Sequence, residues 1–67
     1  MPVTLKAARV NAGLSQEEAA AKIKINTATL INYEQGKTYP DVPVIKRIEE
    51  VYGLEYKDIF FSVQNTV

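Results

Sequence analysis

Four side chains in one short segment, Thr27, Ala28, Ile31 and Asn32, form two i, i+4 pairs and share one face if residues 27–35 are helical. Asn32 carries a carboxamide, with a donor and an acceptor side by side. Thr27 offers a hydroxyl and a methyl, while Ala28 and Ile31 offer apolar contact. That set suits the edge of a base pair, where a carboxamide bonds adenine N6 and N7 together and a small apolar group touches a thymine methyl. The same residue types also occur on many solvated helices, so the face takes its meaning from what surrounds it.

The surroundings are rich in groups that can hold phosphate. Gln16 stands at the start of the preceding helix, where N–H groups point outward and its amide could bind a phosphate oxygen. Lys24 and Asn26 lie in the turn before the 27–35 segment, and Lys37, Thr38 and Tyr39 in the loop after it. For each lysine alone, a solvated surface position is an equally good reading. Other chemistries are poorly supplied. The chain has no Cys and no His, so the usual zinc sets and His-based nucleophile activation are absent. Glu17 and Glu18 are adjacent on a helix and face apart, so they make no acid–base pair. No catalytic residue, metal ligand or cofactor is expected.

The elements that must position these groups follow from punctuation. Ser15 with Glu18 three residues later is a capping box, opening a helix over 16–23. Asn26 is a strong N-cap residue for 27–35, and Gly36 a typical helix-ending residue. Together these form a helix–turn–helix. Upstream, Thr4 caps a helix to Asn11 with Leu5, Ala8 and Ala12 on one face, ended by Gly13. Downstream, Asp41 caps a helix whose apolar stripe is Val44, Ile45, Ile48, Val51 and Tyr52, ended by Gly53; Pro43 is tolerated in its first turn. A short fifth helix is expected from about Tyr56 to Phe61. No strand signal competes, and the fold class is all-α with five helices: one domain over 1–61 and a frayed tail over 62–67.

Within that frame Arg9 falls near the inward stripe of the first helix and Glu34 near the inward end of the third. Neither buries well alone. A charge-assisted bond between them would lock the orientation of the third helix.

Taken together, these residues resemble the phage repressor and Cro-like, or Xre-type, helix-turn-helix family over about Leu5 to Phe60. The matching pattern is Arg9, Gly13-Leu14-Ser15-Gln16, Ala20, Ile23, Ile25, Leu30, Glu34-x-Gly36-Lys37 and Pro40. After it come the stripe to Gly53 and the ending Leu54-Glu55-Tyr56-Lys57-Asp58-Ile59-Phe60. The resemblance implies a five-helix domain that binds operator DNA, usually as a dimer on a pseudo-palindrome. It also implies that Gln16 holds phosphate, that Thr27, Ala28 and Asn32 read bases, and that Arg9–Glu34 is a structural ion pair. Two positions depart from the family. Ala19 stands where a larger aliphatic is usual, and Lys24 where Gly is usual in the turn. Either Lys24 takes a positive φ, at roughly 1 kcal/mol relative to Gly, or the second helix runs further and the turn differs.

The chain carries 8 basic and 8 acidic residues, a zero net charge that is mildly unfavourable for a phosphate-binding protein. Residues 1–40 hold five basic and three acidic side chains, and residues 41–67 three and five, so the positive half contains the motif. A dimer on two half-sites would supply the affinity that charge does not. With no separate dimerisation domain in this sequence, Ile59, Phe60, Phe61 and Val63 are the candidate contact. The expected partners are a double-stranded DNA operator, a second copy, and an antirepressor or toxin protein. No apolar run approaches the ~18 residues of a membrane span, and the expected location is the cytoplasm. The competing reading keeps the fold but makes it a protein-interaction module that does not bind DNA, favoured by neutral charge and an exposed Ile31.

Overall fold

The computed structural model describes residues 2–61, Phe60 by its backbone alone; the expected tail 62–67, and Val63 with it, lies outside the described residues. Among the described residues four helices run in order: α1 (Leu5–Asn11), α2 (Gln16–Ile23), α3 (Thr27–Gln35) and α4 (Val42–Tyr52). Three of the four, α1, α2 and α4, start where a side chain takes up an N–H group that a helix N-terminus leaves unpaired. The Thr4 hydroxyl accepts from Ala7 N–H at 3.0 Å, and the Asp41 carboxylate from Val44 N–H at 3.1 Å. The capping box on α2 is complete. Glu18 N–H donates to Ser15 Oγ at 3.1 Å and Ser15 N–H to Glu18 Oε1 at 2.9 Å, which holds the Glu18 carboxyl below its ordinary pKa. Asn26 departs from expectation: its backbone is at the N-cap of α3, but its carboxamide makes no capping bond.

All four helices end in one geometry. A residue in the left-handed region closes each of them, namely Gly13, Lys24, Gly36 and Gly53. The N–H after it reaches back five residues, as in Leu14 to Arg9 O, Ile25 to Ala20 O, Lys37 to Asn32 O and Leu54 to Glu49 O, at 2.9–3.2 Å. Lys24, with φ 67°, therefore takes the strained option, and α2 stops at Ile23.

The core gathers where α2 packs on α3 and α4. Ile23, Leu30 and Ile48 are its largest fully buried side chains, with Ala19 and Ala20 at 0% and 1% exposed between the helices. From α1 it takes Leu5 and Ala8; Ala12, expected on the same face, is exposed at the helix end. Val44, Ile48 and Tyr52 of the α4 stripe are buried, and Ile45 and Val51 half-buried.

The fifth helix is not there. Tyr56–Asp58 make a single 3₁₀ turn, after which the chain straightens into β2 (Ile59–Phe60), paired in parallel with β1 (Val3–Thr4) in the register Val3 to Ile59 and Thr4 to Phe60. A six-residue helix is too short to be stable without packing. Ile59, Phe60 and Phe61 are residue types that favour extended backbone. Pairing with Val3–Thr4 also closes the two ends of the domain beside the core, where Ile59 and Phe61 are buried. The fold is helical with a two-residue parallel pair as its clasp.

Candidate nucleic-acid interface

Helix α3 divides as its spacing predicts. Leu30 is fully buried and Tyr33 packs against the core, while Ala28 on the opposite side is exposed. Thr27, Ile31 and Asn32 are half-buried. Ile31 is thus less open than expected, and so a weaker argument for an apolar protein contact. Around this face, Lys24, Asn26, Lys37, Thr38 and Tyr39 are all exposed, and Gln16 is half-buried.

The Arg9–Glu34 pair forms as its sequence positions suggested. Arg9 Nε donates to Glu34 Oε2 at 2.7 Å and Nη2 to Oε1 at 3.4 Å, with side chains only 9% and 5% exposed. The guanidinium has a third partner. Nη1 donates to the carbonyl of Leu14 at 3.0 Å, so one side chain ties α1, the α1–α2 turn and α3 together. Gln16 joins this network, its Nε2 donating to Glu34 Oε1 at 3.2 Å. Nearby, the Tyr52 hydroxyl is buried with no hydrogen-bond partner among the described residues. Its pKa is pushed up to about 12, first by burial and then by the Glu34 carboxylate, with Arg9 opposing.

Three further features carry no signal a single sequence could have shown. Arg47 on α4 donates from Nε to the carbonyl of Ile23 at 2.7 Å, placing a cation at the negative end of α2. Tyr39 and Tyr56 share a hydrogen bond of 3.0 Å between their hydroxyls, and this bond, before desolvation, raises the Tyr39 pKa. Both rings also pack on Phe61, at centroid distances of 5.1 and 5.5 Å. The loop that carries Lys37 and Thr38 is therefore tied to the C-terminal clasp by aromatic contact. Of the residues expected at a dimer contact, Ile59 and Phe61 are 6% and 9% exposed and belong to the protomer's own core. Phe60 is described only by its backbone, and Val63 lies outside the described residues.

Comparison with known proteins matches residues 5–59, most of the chain, to a family described as helix-turn-helix. The chain belongs to this Xre-type helix-turn-helix family. Among its relatives is the HTH-type transcriptional regulator ImmR of Bacillus subtilis, 38% identical over 50 residues, or 75% of this chain and 39% of that protein. Another is an uncharacterized HTH-type transcriptional regulator of Methanocaldococcus jannaschii, 34% identical over 56 residues, covering 84% of this chain and 85% of the relative. A third, from Archaeoglobus fulgidus and also an uncharacterized HTH-type transcriptional regulator, is 28% identical over 60 residues, 90% and 86% of the two chains. The chain thus spans about two fifths of the Bacillus protein and most of each archaeal one.

Proposed function

We propose that this domain binds an operator half-site with α3 in the major groove, acts as a homodimer on an inverted repeat, and represses transcription by occupying that site. The coarser part, a DNA-binding transcriptional regulator and not an enzyme, follows from membership of the family. The finer part rests above all on one observation. The outward face of α3, with Ala28 exposed and Thr27, Ile31 and Asn32 beside it, is fixed against α2 by core packing around Leu30 and Ile23 together with the bonds from Arg9 and Gln16 to Glu34.

In this reading Asn32 reads adenine, Thr27 and Ala28 discriminate a thymine methyl, and Ile31 packs on a methyl or sugar. Gln16, Lys24, Asn26, Lys37, Thr38 and Tyr39 hold phosphates and set the register of the helix without reading sequence. Repression is the assigned sign because occupancy alone is enough to block a promoter. A second copy restores the affinity that zero net charge leaves wanting. Its contact falls beside Ile59 and Phe61, where Tyr56 is 43% exposed. An antirepressor or toxin protein is a further partner of the kind this architecture accommodates. Among the described residues no helix is long and apolar enough to cross a membrane, and we place the domain in the cytoplasm with its DNA.

The test is selection of bound duplexes from a random library at two salt concentrations. An enriched inverted repeat with half-sites about 10 base pairs apart, centre to centre, is the expected result. On that repeat Asn32→Ala should cost about 1–3 kcal/mol at one base position and leave the others as they were. Absence of enrichment at both salts would replace this reading with that of a protein-interaction module on the same fold.

A further inference from the structure

Gln16 and Glu34 are 18 residues apart, yet one amide N–H of Gln16 is bonded to the Glu34 carboxylate, which Arg9 holds in turn. An ionised carboxylate only accepts hydrogen bonds. It therefore selects which end of the Gln16 carboxamide faces it. The nitrogen must turn toward Glu34, and one of its two N–H groups is engaged there. The Glu34 side chain is itself only 5% exposed and gripped at both oxygens by the guanidinium, so it is a fixed reference point rather than a mobile surface acid.

We propose that Glu34 is a positioning residue for DNA binding: it locks the rotamer and flip of the Gln16 amide, so that its second N–H is set in advance for a phosphate oxygen. This rests on the reading of Gln16 as a phosphate contact. A free glutamine amide on the surface could equally present its oxygen, which repels phosphate, and would lose side-chain entropy on binding. Locking the amide removes both costs before the DNA arrives. The ion pair thus does more than join α1 to α3. Through Gln16 it ties the phosphate contact at the start of α2 to the helix that reads bases.

The experiment is a thermodynamic cycle on the intact chain. Its probe is a duplex carrying the enriched inverted repeat, with a random-sequence duplex as comparator. Gln16→Ala should raise Kd about tenfold on both duplexes, the loss of one hydrogen bond to a charged group. The salt dependence should not change, because a neutral amide releases no counterions. Glu34→Gln should also weaken binding, by about fivefold, because a carboxamide at 34 can donate as well as accept and no longer dictates the flip. The direction is diagnostic. Removing a negative charge near DNA would by electrostatics alone strengthen binding. With both changes present Kd should rise no further than about tenfold, because the two side chains act as one unit.

If Glu34→Gln fails to fold, Arg9→Met combined with Glu34→Leu replaces the buried pair by apolar groups and takes its place in the cycle. In the free wild-type protein, one Gln16 side-chain amide proton should also be slowed in exchange relative to its partner. Multiplying losses, tight binding by Glu34→Gln, an unaffected Kd in Gln16→Ala, or equivalent Gln16 amide protons would each overturn the inference while leaving the DNA reading intact. If the wild-type protein binds neither duplex, the proposed function falls first.

Discussion

The ends of α2 and α3 have the same backbone and opposite side-chain logic. Both close on a residue in the left-handed region, and both send the next N–H back five residues, Ile25 to Ala20 O at 3.0 Å and Lys37 to Asn32 O at 2.9 Å. At α2 the strained position is Lys24 and the residue after it, Ile25, packs on the core. At α3 the position is Gly36, and the residue after it, Lys37, is exposed. Leu14 and Leu54, which follow Gly13 and Gly53, behave like Ile25. The end of α3 alone lacks the apolar contact that usually accompanies this motif.

Something else must hold that end down, and the structure shows what. Glu34, one residue short of the helix terminus, is bonded to Arg9 and Gln16. At the end of α2 the corresponding hold is apolar, through Ile25, with Arg47 on the Ile23 carbonyl in addition. A buried ion pair in place of a packed side chain lets the next residues stay at the surface. Lys37 and Thr38 are thereby left facing solvent where a phosphate could meet them.

Four substitutions break or sharpen this contrast. Glu34→Ala leaves the Arg9 guanidinium buried and unpaired, and should lower unfolding stability by about 3–5 kcal/mol, a large share of what a domain of this size has. Denaturant titration measures it, and a shift below about 1 kcal/mol would show that α3 is held by packing after all. Ile25→Ala removes the apolar hold on α2. About 2 kcal/mol is expected, at the low end of core truncations because Ile25 is only partly buried. Lys24→Gly relieves the positive φ and should raise stability by about 1 kcal/mol, seen as a higher Tm. If Lys24 also touches phosphate, the same variant binds DNA less tightly while melting higher. Lys37→Ala should leave the Tm where it is and weaken binding to all duplexes alike, with a salt slope smaller by about one. A loss confined to one base position would move Lys37 from phosphate contact to base reader.

Much of the fold could be read directly because its signals are local. The Thr4, Ser15–Glu18 and Asp41 caps and the glycines at 13, 36 and 53 act within one turn of themselves, and all were legible. The Arg9–Glu34 pair was legible for another reason: each charge falls near the inward side of its helix, where neither buries well alone. The expected fifth helix does not form; apolar spacing over six residues does not separate a short helix from an extended segment. What decided it was Val3–Thr4, more than fifty residues away, offering a strand to pair with. Asn26 shows the reverse error. Its residue type favours side-chain capping, yet the carboxamide makes no such bond.

The sequence by itself therefore determined where helices start and stop, which face of α3 turns inward, and that residues 16–35 form a helix–turn–helix. These depend on hydrogen bonds and side-chain periodicity within a few residues. Only the tertiary structure decided that Gln16 shares the Glu34 carboxylate, that Arg47 caps α2, and that Tyr39, Tyr56 and Phe61 tie the α3–α4 loop to the clasp. These contacts join groups as far as 24 residues apart. Their meeting is set by how buried helices pack, and short-range propensity carries no information about that geometry.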